Sequence, residues 1–263
     1  MLLSNLMDLK DKVILITGGS GHLGAAMCEA LAEFNATLYI GSRSFNKNLE
    51  LSKNLTNKFN NLNYPIKLDV SNIISIERNI QEIMKEHHKI DVLINNAYYG
   101  AGKDLISMEY NDWYKGIDGT INSVYRTTKL VLPHMIKRKS GKIINVSSMY
   151  GIISPDVSIY TNTPFYNPAN YGAGKAAIIQ FTKFIAAVYG TYGINSNVIS
   201  PGPFPNEQVQ KNHEFISRLK NKVPLKRIGF PDDLKGIIVL LSSDASNFFN
   251  GTNIIIDGGW SIY

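Results

Sequence analysis

Seven short runs of apolar, β-favouring residues recur along the chain, at 13–17, 37–41, 64–68, 92–95, 142–146, 194–199 and 253–256. Most are continuous in hydrophobicity rather than alternating, the pattern of strands covered on both faces and hence of a parallel sheet. Between them lie stretches with helical periodicity, at 22–34, 73–87, 113–138, 171–189 and 232–242. Strand and helix therefore alternate, which implies right-handed crossovers and a doubly wound, Rossmann-type α/β fold with helices on both faces of the sheet. No internal repeat, low-complexity linker or shift of composition marks a boundary, so residues 1–263 are expected to form a single domain.

Two segments break this rhythm. The stretch at about 149–170 sets Pro155, Pro164 and Pro168 among Tyr160, Phe165 and Tyr166, and the stretch at about 201–225 follows a strand with another Pro/Gly cluster. Loops this long inside a compact domain are usually functional. Both leave strands on the side where a doubly wound sheet takes its ligands, so both are expected to be active-site loops.

Composition narrows the class. Of the 263 residues 44% are hydrophobic and 18% charged, enough for a core and unlike a disordered chain. The net charge of +6 is diffuse. Its densest run, Lys137-Arg138-Lys139, ends a helical pattern and is accompanied by no recognition motif, so no nucleic-acid partner is expected. Diffuse positive charge does help to attract phosphate-bearing ligands. A single cysteine, Cys28, excludes an intramolecular disulfide, and its place in a helical pattern makes it a small buried thiol. The first ten residues carry Asp8 and no small-residue cleavage site, and no apolar run reaches the ~20 residues of a membrane span. A soluble, cytoplasmic protein with no membrane partner and no metal site is expected.

The first strand leads into Thr17-Gly18-Gly19-Ser20-Gly21-His22-Leu23-Gly24 and then into a helix. Glycines there allow a tight turn and a close approach of backbone to a pyrophosphate, while free N–H groups at the helix start face its negative charge. Position at the first strand–helix junction is the context that makes such a motif a dinucleotide site. The end of the second strand tells the two nicotinamide dinucleotides apart, since an acid there binds a ribose hydroxyl and a base accommodates a 2′-phosphate. Here it reads Ser42-Arg43-Ser44, without a carboxylate and with a fork-shaped donor suited to phosphate. NADP is the expected cofactor, with NAD as the alternative.

Eight segments, in this order, resemble the short-chain dehydrogenase/reductase family over essentially the whole chain. They are Thr17-Gly18…Gly24, Leu68-Asp69-Val70, Asn95-Asn96-Ala97, Asn145-Val146-Ser147-Ser148, Tyr171-Gly172-Ala173-Gly174-Lys175, Ser200-Pro201-Gly202, Arg227-Ile228-Gly229-Phe230-Pro231 and Asp257-Gly258-Gly259-Trp260. The resemblance implies that Asp69 and Val70 lie by the adenine and that Asn95, Asn96 and Ala97 support the cofactor's ribose. It places Pro201, Gly202 and Phe204 with the cofactor as well. By the same resemblance Tyr171 is the general acid/base, Lys175 its activator and Ser148 a donor to the substrate oxygen.

The residue chemistry is consistent with those roles. Tyr171 and Lys175 are four apart and share a helix face. A free tyrosine titrates near pH 10 and is a poor base at neutrality. An adjacent ammonium, with the positive nicotinamide of an oxidised cofactor, is expected to favour the phenolate.

Three features depart from the family's compact, single-domain branch. The glycine spacing and the 23-position separation of Ser148 from Tyr171 look like the extended branch, which acts on nucleotide sugars. The family's catalytic asparagine falls on Thr120, with Asn122 on another helix face. The C-terminal motifs belong to the compact branch, so a compact enzyme with an enlarged active-site loop is expected. Tyr98, Tyr99, Tyr150, Tyr160, Phe165 and Tyr166 either wall its pocket or pack the loop.

The expected reaction is hydride transfer between the dinucleotide and a secondary alcohol or ketone, with sugar derivatives of bacterial surface-glycan or flagellin-modification pathways considered first among the small-molecule substrates and a 3-oxoacyl-type carrier-protein substrate or a small ketone beside them. A redox-neutral nucleotide-sugar epimerase and a non-catalytic dinucleotide sensor are the alternatives. The resemblance also implies a homo-oligomer, dimer or tetramer, joined in part through the helix that carries Tyr171. On that helix Phe181, Phe184, Ile185 and Val188 serve either the contact or the protomer's own core.

Overall fold

The computed structural model describes residues 2–100 and 102–262. Seven strands, β1 (Val13–Thr17), β2 (Thr37–Ser42), β3 (Asn63–Lys67), β4 (Val92–Asn95), β5 (Gly141–Val146), β6 (Ile194–Pro201) and β7 (Asn253–Ile256), form one sheet. Their order is β3-β2-β1-β4-β5-β6-β7, and every adjacent pair is parallel. The order reverses between β1 and β4, which is the switch point where a crevice opens above the strand ends.

Among the described residues eleven α-helices accompany the sheet: α1 (Leu3–Met7), α2 (His22–Glu33), α3 (Phe45–Phe59), α4 (Ile73–His87), α5 (Tyr110–Ile117), α6 (Ser123–Arg138), α7 (Val157–Tyr160), α8 (Ala169–Tyr189), α9 (Glu207–Gln210), α10 (His213–Lys222) and α11 (Lys235–Ser242). None is long and apolar enough to cross a membrane among the described residues.

Continuous apolar strands are explained by two cores, one on each face. Ile14 and Ile16 point into a cluster with Met27, Leu31, Leu55 and Ile238, from α2, α3 and α11. Val13 and Leu15 point the other way, onto Ile76, Ile80, Val131 and Ile185 from α4, α6 and α8. The two-residue repeat of a strand sends neighbours to opposite faces, so each needs an apolar side chain. Ile14, Leu15 and Ile16 are completely buried, each worth roughly 1.5–3 kcal/mol relative to exposure. Cys28 lies in the first cluster, fully buried.

Differences from the sequence expectation each have a local cause. Helix α3 went unpredicted because it is mostly polar and buries only Asn48, Ser52 and Leu55. The 201–225 segment is not irregular but contains α9 and α10. Strand β3 tolerates Pro65 because it is the sheet's edge, where a missing N–H breaks no ladder.

The long helix expected at 113–138 starts at Tyr110 and is interrupted by a π-helical turn at Asp118–Asn122. There the loop after β4 presses on the helix: a Cβ on Gly119 would sit 1.6 Å from the Tyr99 carbonyl oxygen. Alanine ordinarily stabilises a helix by about 1 kcal/mol relative to glycine. At Gly119 the sign should reverse, with Gly119→Ala costing about 1–3 kcal/mol through overpacking. Urea denaturation reads this directly, and an unchanged or raised midpoint would show that the Tyr99 loop yields freely.

Candidate active site

All the sequence-predicted site residues come from the carboxyl ends of strands or the helix starts that follow them. A cleft of about 440 Å³ opens there, lined by Gly18, Gly21, His22, Leu23, Ser42, Arg43, Asp69, Val70, Asn96, Ala97, Ser148, Tyr171, Lys175, Pro201, Gly202 and Phe204 of the predicted set. Three predicted residues do not line it. Ser20 hydrogen-bonds to Asn48, Gly24 packs beneath the glycine turn, and Asn95 is 3% exposed with its amide turned to Thr127, Thr128 and Asn145 in the interior.

The glycine turn fits a dinucleotide pyrophosphate. Gly18 has φ +66°, which favours glycine, and a Cβ there would lie 2.9 Å from Ala97 Cα. A Cβ on Gly24 would lie 2.2 Å from the Gly18 carbonyl oxygen, so the turn closes only without side chains at these points. Helix α2 begins at Gly21 with no side-chain cap, which leaves the N–H groups of its first turn for an anion. Asn96 holds the turn in place by donating its amide to the Thr17 and Gly18 carbonyls at 3.1 and 2.9 Å. Thr17 Oγ1 accepts from the Asn96 and Ala97 N–H groups, both at 3.1 Å, and so fastens β4's loop to β1.

At the end of β2, Ser20 and Ser42 both donate to Asn48 Oδ1, at 2.6 and 2.7 Å. Asn48 is fully buried and donates to the Ile66 carbonyl at 2.7 Å. It is a positioning residue that sequence reasoning missed, since a lone asparagine in a polar helix carries no signal. With Ser42 so engaged, Arg43 is the cation this loop offers: it is exposed, lines the cleft and has no ion-pair partner among the described residues. Asp69 accepts from the Ser71 N–H and hydroxyl at 2.9 and 2.7 Å, which fixes the turn after β3.

On the other wall the spacing of Tyr171 and Lys175 does what a helix face requires. Lys175 Nζ lies 5.6 Å from the Tyr171 ring centre and 5.8 Å from that of Tyr98, and donates to the Val146 carbonyl at 2.7 Å. Tyr98 meets Tyr171 edge to face, with ring centres 5.1 Å apart. Ser147 Oγ donates to the Lys175 carbonyl at 2.8 Å, which locks α8 against β5. Ser148 Oγ accepts from the Tyr150 N–H at 3.2 Å and is in hydrogen-bonding reach of the Tyr171 hydroxyl.

Electrostatics differ from the sequence expectation. Burial pushes the Tyr171 phenol up to about 12, against a downward pull from a hydrogen bond with Ser148. Burial also pulls Lys175 down to about 8. Without a bound dinucleotide the site therefore holds Tyr171 as a phenol at neutral pH, a proton donor rather than a phenolate.

Thr120 sits inside the π-helical turn, 1% exposed, and donates to the Gly116 carbonyl at 2.7 Å. Its hydroxyl packs where a Cβ of Gly174 would be, at 1.9 Å, so it supports α8 from behind. Of the six aromatic residues, Tyr98 and Tyr99 line the main cleft, while Tyr150, Tyr160 and Tyr166 line a neighbouring cavity. Phe165 packs on Phe215 instead, ring centres 4.6 Å apart. Among the described residues no three His, Cys, Asp or Glu side chains gather as a metal site would need.

A family model described as enoyl-(acyl carrier protein) reductase matches residues 20–261. Over 265 residues the chain is 31% identical to a 7alpha-hydroxysteroid dehydrogenase of Paraclostridium sordellii, covering 97% of this chain and 93% of that protein. Over 260 residues it is 32% identical to a 3-oxoacyl-(acyl-carrier-protein) reductase of Thermotoga maritima, covering 96% and 99%. Among solved structures, a gluconate 5-dehydrogenase of Burkholderia cenocepacia in complex with NADP and tartrate superposes with a TM-score of 0.88 at 28% identity, over the whole of both chains.

Proposed function

This chain belongs to the short-chain dehydrogenase/reductase family, NAD(P)-dependent oxidoreductases of alcohols and ketones, and from that premise we propose that it reduces a ketone, reversibly, with NADP(H) and with NAD(H) as the weaker cofactor. The observation that carries the reading is the convergence of the Ser148 and Tyr171 hydroxyls on one side of the cleft, with Lys175 behind them. Two hydroxyl donors suit an oxygen that takes up negative charge, and thus C=O rather than C=C. Bound NADPH would supply the hydride. Ser148 donates to the carbonyl oxygen, Tyr171 delivers the proton, and the ammonium of Lys175 favours the phenolate that remains. Gly18, Gly21 and the start of α2 hold the pyrophosphate, and Arg43 the 2′-phosphate.

Residues 1–263 act as one dinucleotide-binding unit, in the cytoplasm, on a small-molecule substrate such as a sugar derivative. A homo-oligomer is supported by α8, where Ile185 is buried at 3% exposure but Phe184 and Val188 are 55% and 44% exposed. The test is to follow NADPH absorbance with a panel of cyclic ketones. Oxidation of NADPH in step with ketone loss supports the reading. Tight NADPH binding with no oxidation points to a sensor, and substrate isomerisation at constant NADPH to an epimerase.

A further inference from the structure

Two cavities flank Tyr171 on the side away from the glycine turn. One, of about 210 Å³, runs from Ser148 and Tyr171 to Phe204 and Phe215. The other, of about 570 Å³, lies under the enlarged loop, against Ile152, Val157 and Tyr166. Tyr150, Tyr160 and Asn167 line both. No Lys, Arg, His, Asp or Glu among the described residues lines either one.

Asn167 Nδ2 donates to Tyr160 Oη at 2.5 Å, and the Tyr160 and Tyr150 hydroxyls are 2.6 Å apart. Two phenols carry two protons, and the bond between them uses one. With the Asn167 amide oriented as the donor, one O–H of the pair is left without a protein acceptor, on Tyr150, which is 7% exposed, or on the half-buried Tyr160. A donor with no protein partner facing these cavities favours a ligand that brings an acceptor. A carboxylate would find no cation here to offset its lost hydration.

We propose that the substrate is uncharged: a ketone or secondary alcohol, a neutral sugar derivative included, that carries away from the reacting carbon a neutral oxygen acceptor for the spare proton of the Tyr150–Tyr160 pair. Sugar acids and other carboxylates are excluded by the same walls. This rests on the carbonyl-reduction reading and adds the substrate class to it.

Three ligands separate the possibilities: cyclohexanone, and the same ring bearing opposite its carbonyl either a carboxamide or a carboxylate. Binding to the NADPH-loaded protein is measured by calorimetry, and turnover by NADPH consumption. The carboxamide should exceed the carboxylate by ~100-fold in both Kd and kcat/KM, as expected for a charge left without a partner, and exceed the unsubstituted ketone by ~10-fold. Ile152 is 42% exposed at the mouth of the larger cavity, and Ile152→Arg there should raise kcat/KM for the carboxylate by ~10-fold.

Equal or better use of the carboxylate overturns the proposal while leaving hydride transfer intact. Parity of carboxamide and plain ketone removes the acceptor for the spare proton and overturns it as stated. Binding in the expected order without NADPH consumption upholds the pocket and sinks the reductase reading instead. Failure of all three to bind overturns both.

Discussion

Tyr171→Phe will cut NADPH-dependent ketone reduction by ~10²-fold or more while leaving NADPH affinity nearly unchanged. The substitution keeps the ring that packs edge to face on Tyr98 and removes only the hydroxyl. Folding and the glycine cradle should therefore survive, and the loss should fall on kcat. The pH profile carries a second, independent signature. Reduction needs Tyr171 protonated, and burial holds its phenol up at about 12, so tyrosine itself does not limit activity near neutrality.

Lys175, pulled down to about 8, does titrate in the working range. Its neutral form no longer stabilises the phenolate that proton transfer leaves behind. In the wild-type enzyme kcat/KM for NADPH, which follows the free protein's ionisations, should be level below about pH 8 and fall above it. Stopped-flow single turnovers with purified protein measure both effects. Near-normal turnover in the variant would remove Tyr171 from the proton path.

Arg43→Ala will weaken NADPH binding by ~10–100-fold and leave NADH almost untouched, which is the size of one or two charge-assisted hydrogen bonds to phosphate. Arg43 is exposed and has no ion-pair partner among the described residues, so its removal should cost little stability. The neighbouring Ser42 hydroxyl cannot take over, because it is spent on Asn48. Raising the salt concentration should shrink the wild-type preference for NADPH, since an exposed charge is screened. Paired fluorescence titrations give the result directly. Equal losses for the two dinucleotides would mean that Arg43 does not read the 2′-phosphate.

Most of the architecture was legible along the chain because its signals are local. Seven apolar runs gave strands within a residue or two, since the central strands are buried on both faces and are filled mostly by apolar side chains. The glycine turn announced itself because the φ of Gly18 favours glycine and the close contacts at Gly18 and Gly24 leave no room for a side chain. Tyr171 and Lys175 came together because a four-residue spacing is a property of the helix alone. Helix α3 was invisible for the same reason in reverse: its few buried residues are mainly Asn48 and Ser52, which do not mark a core face.

Whatever depends on distant chain segments had to wait for the tertiary structure. Asn95 belongs to a dinucleotide motif in sequence, yet Thr127, Thr128 and Asn145 draw its amide into the interior. Asn48 acquires its part only because β2, β3 and the glycine turn meet around it. The π-helical turn at Asp118–Asn122 lies against Tyr99, which arrives from another loop. In the chain without a dinucleotide, Tyr171 is held up and Lys175 down by burial among segments remote in sequence. Sequence alone determined the pattern of strands, the glycine turn and the catalytic spacing, which rest on periodicity and backbone sterics. Tertiary structure decided which hydroxyls are free, which charges are buried and which walls enclose the substrate, because hydrogen bonding and desolvation are set by what folding brings near.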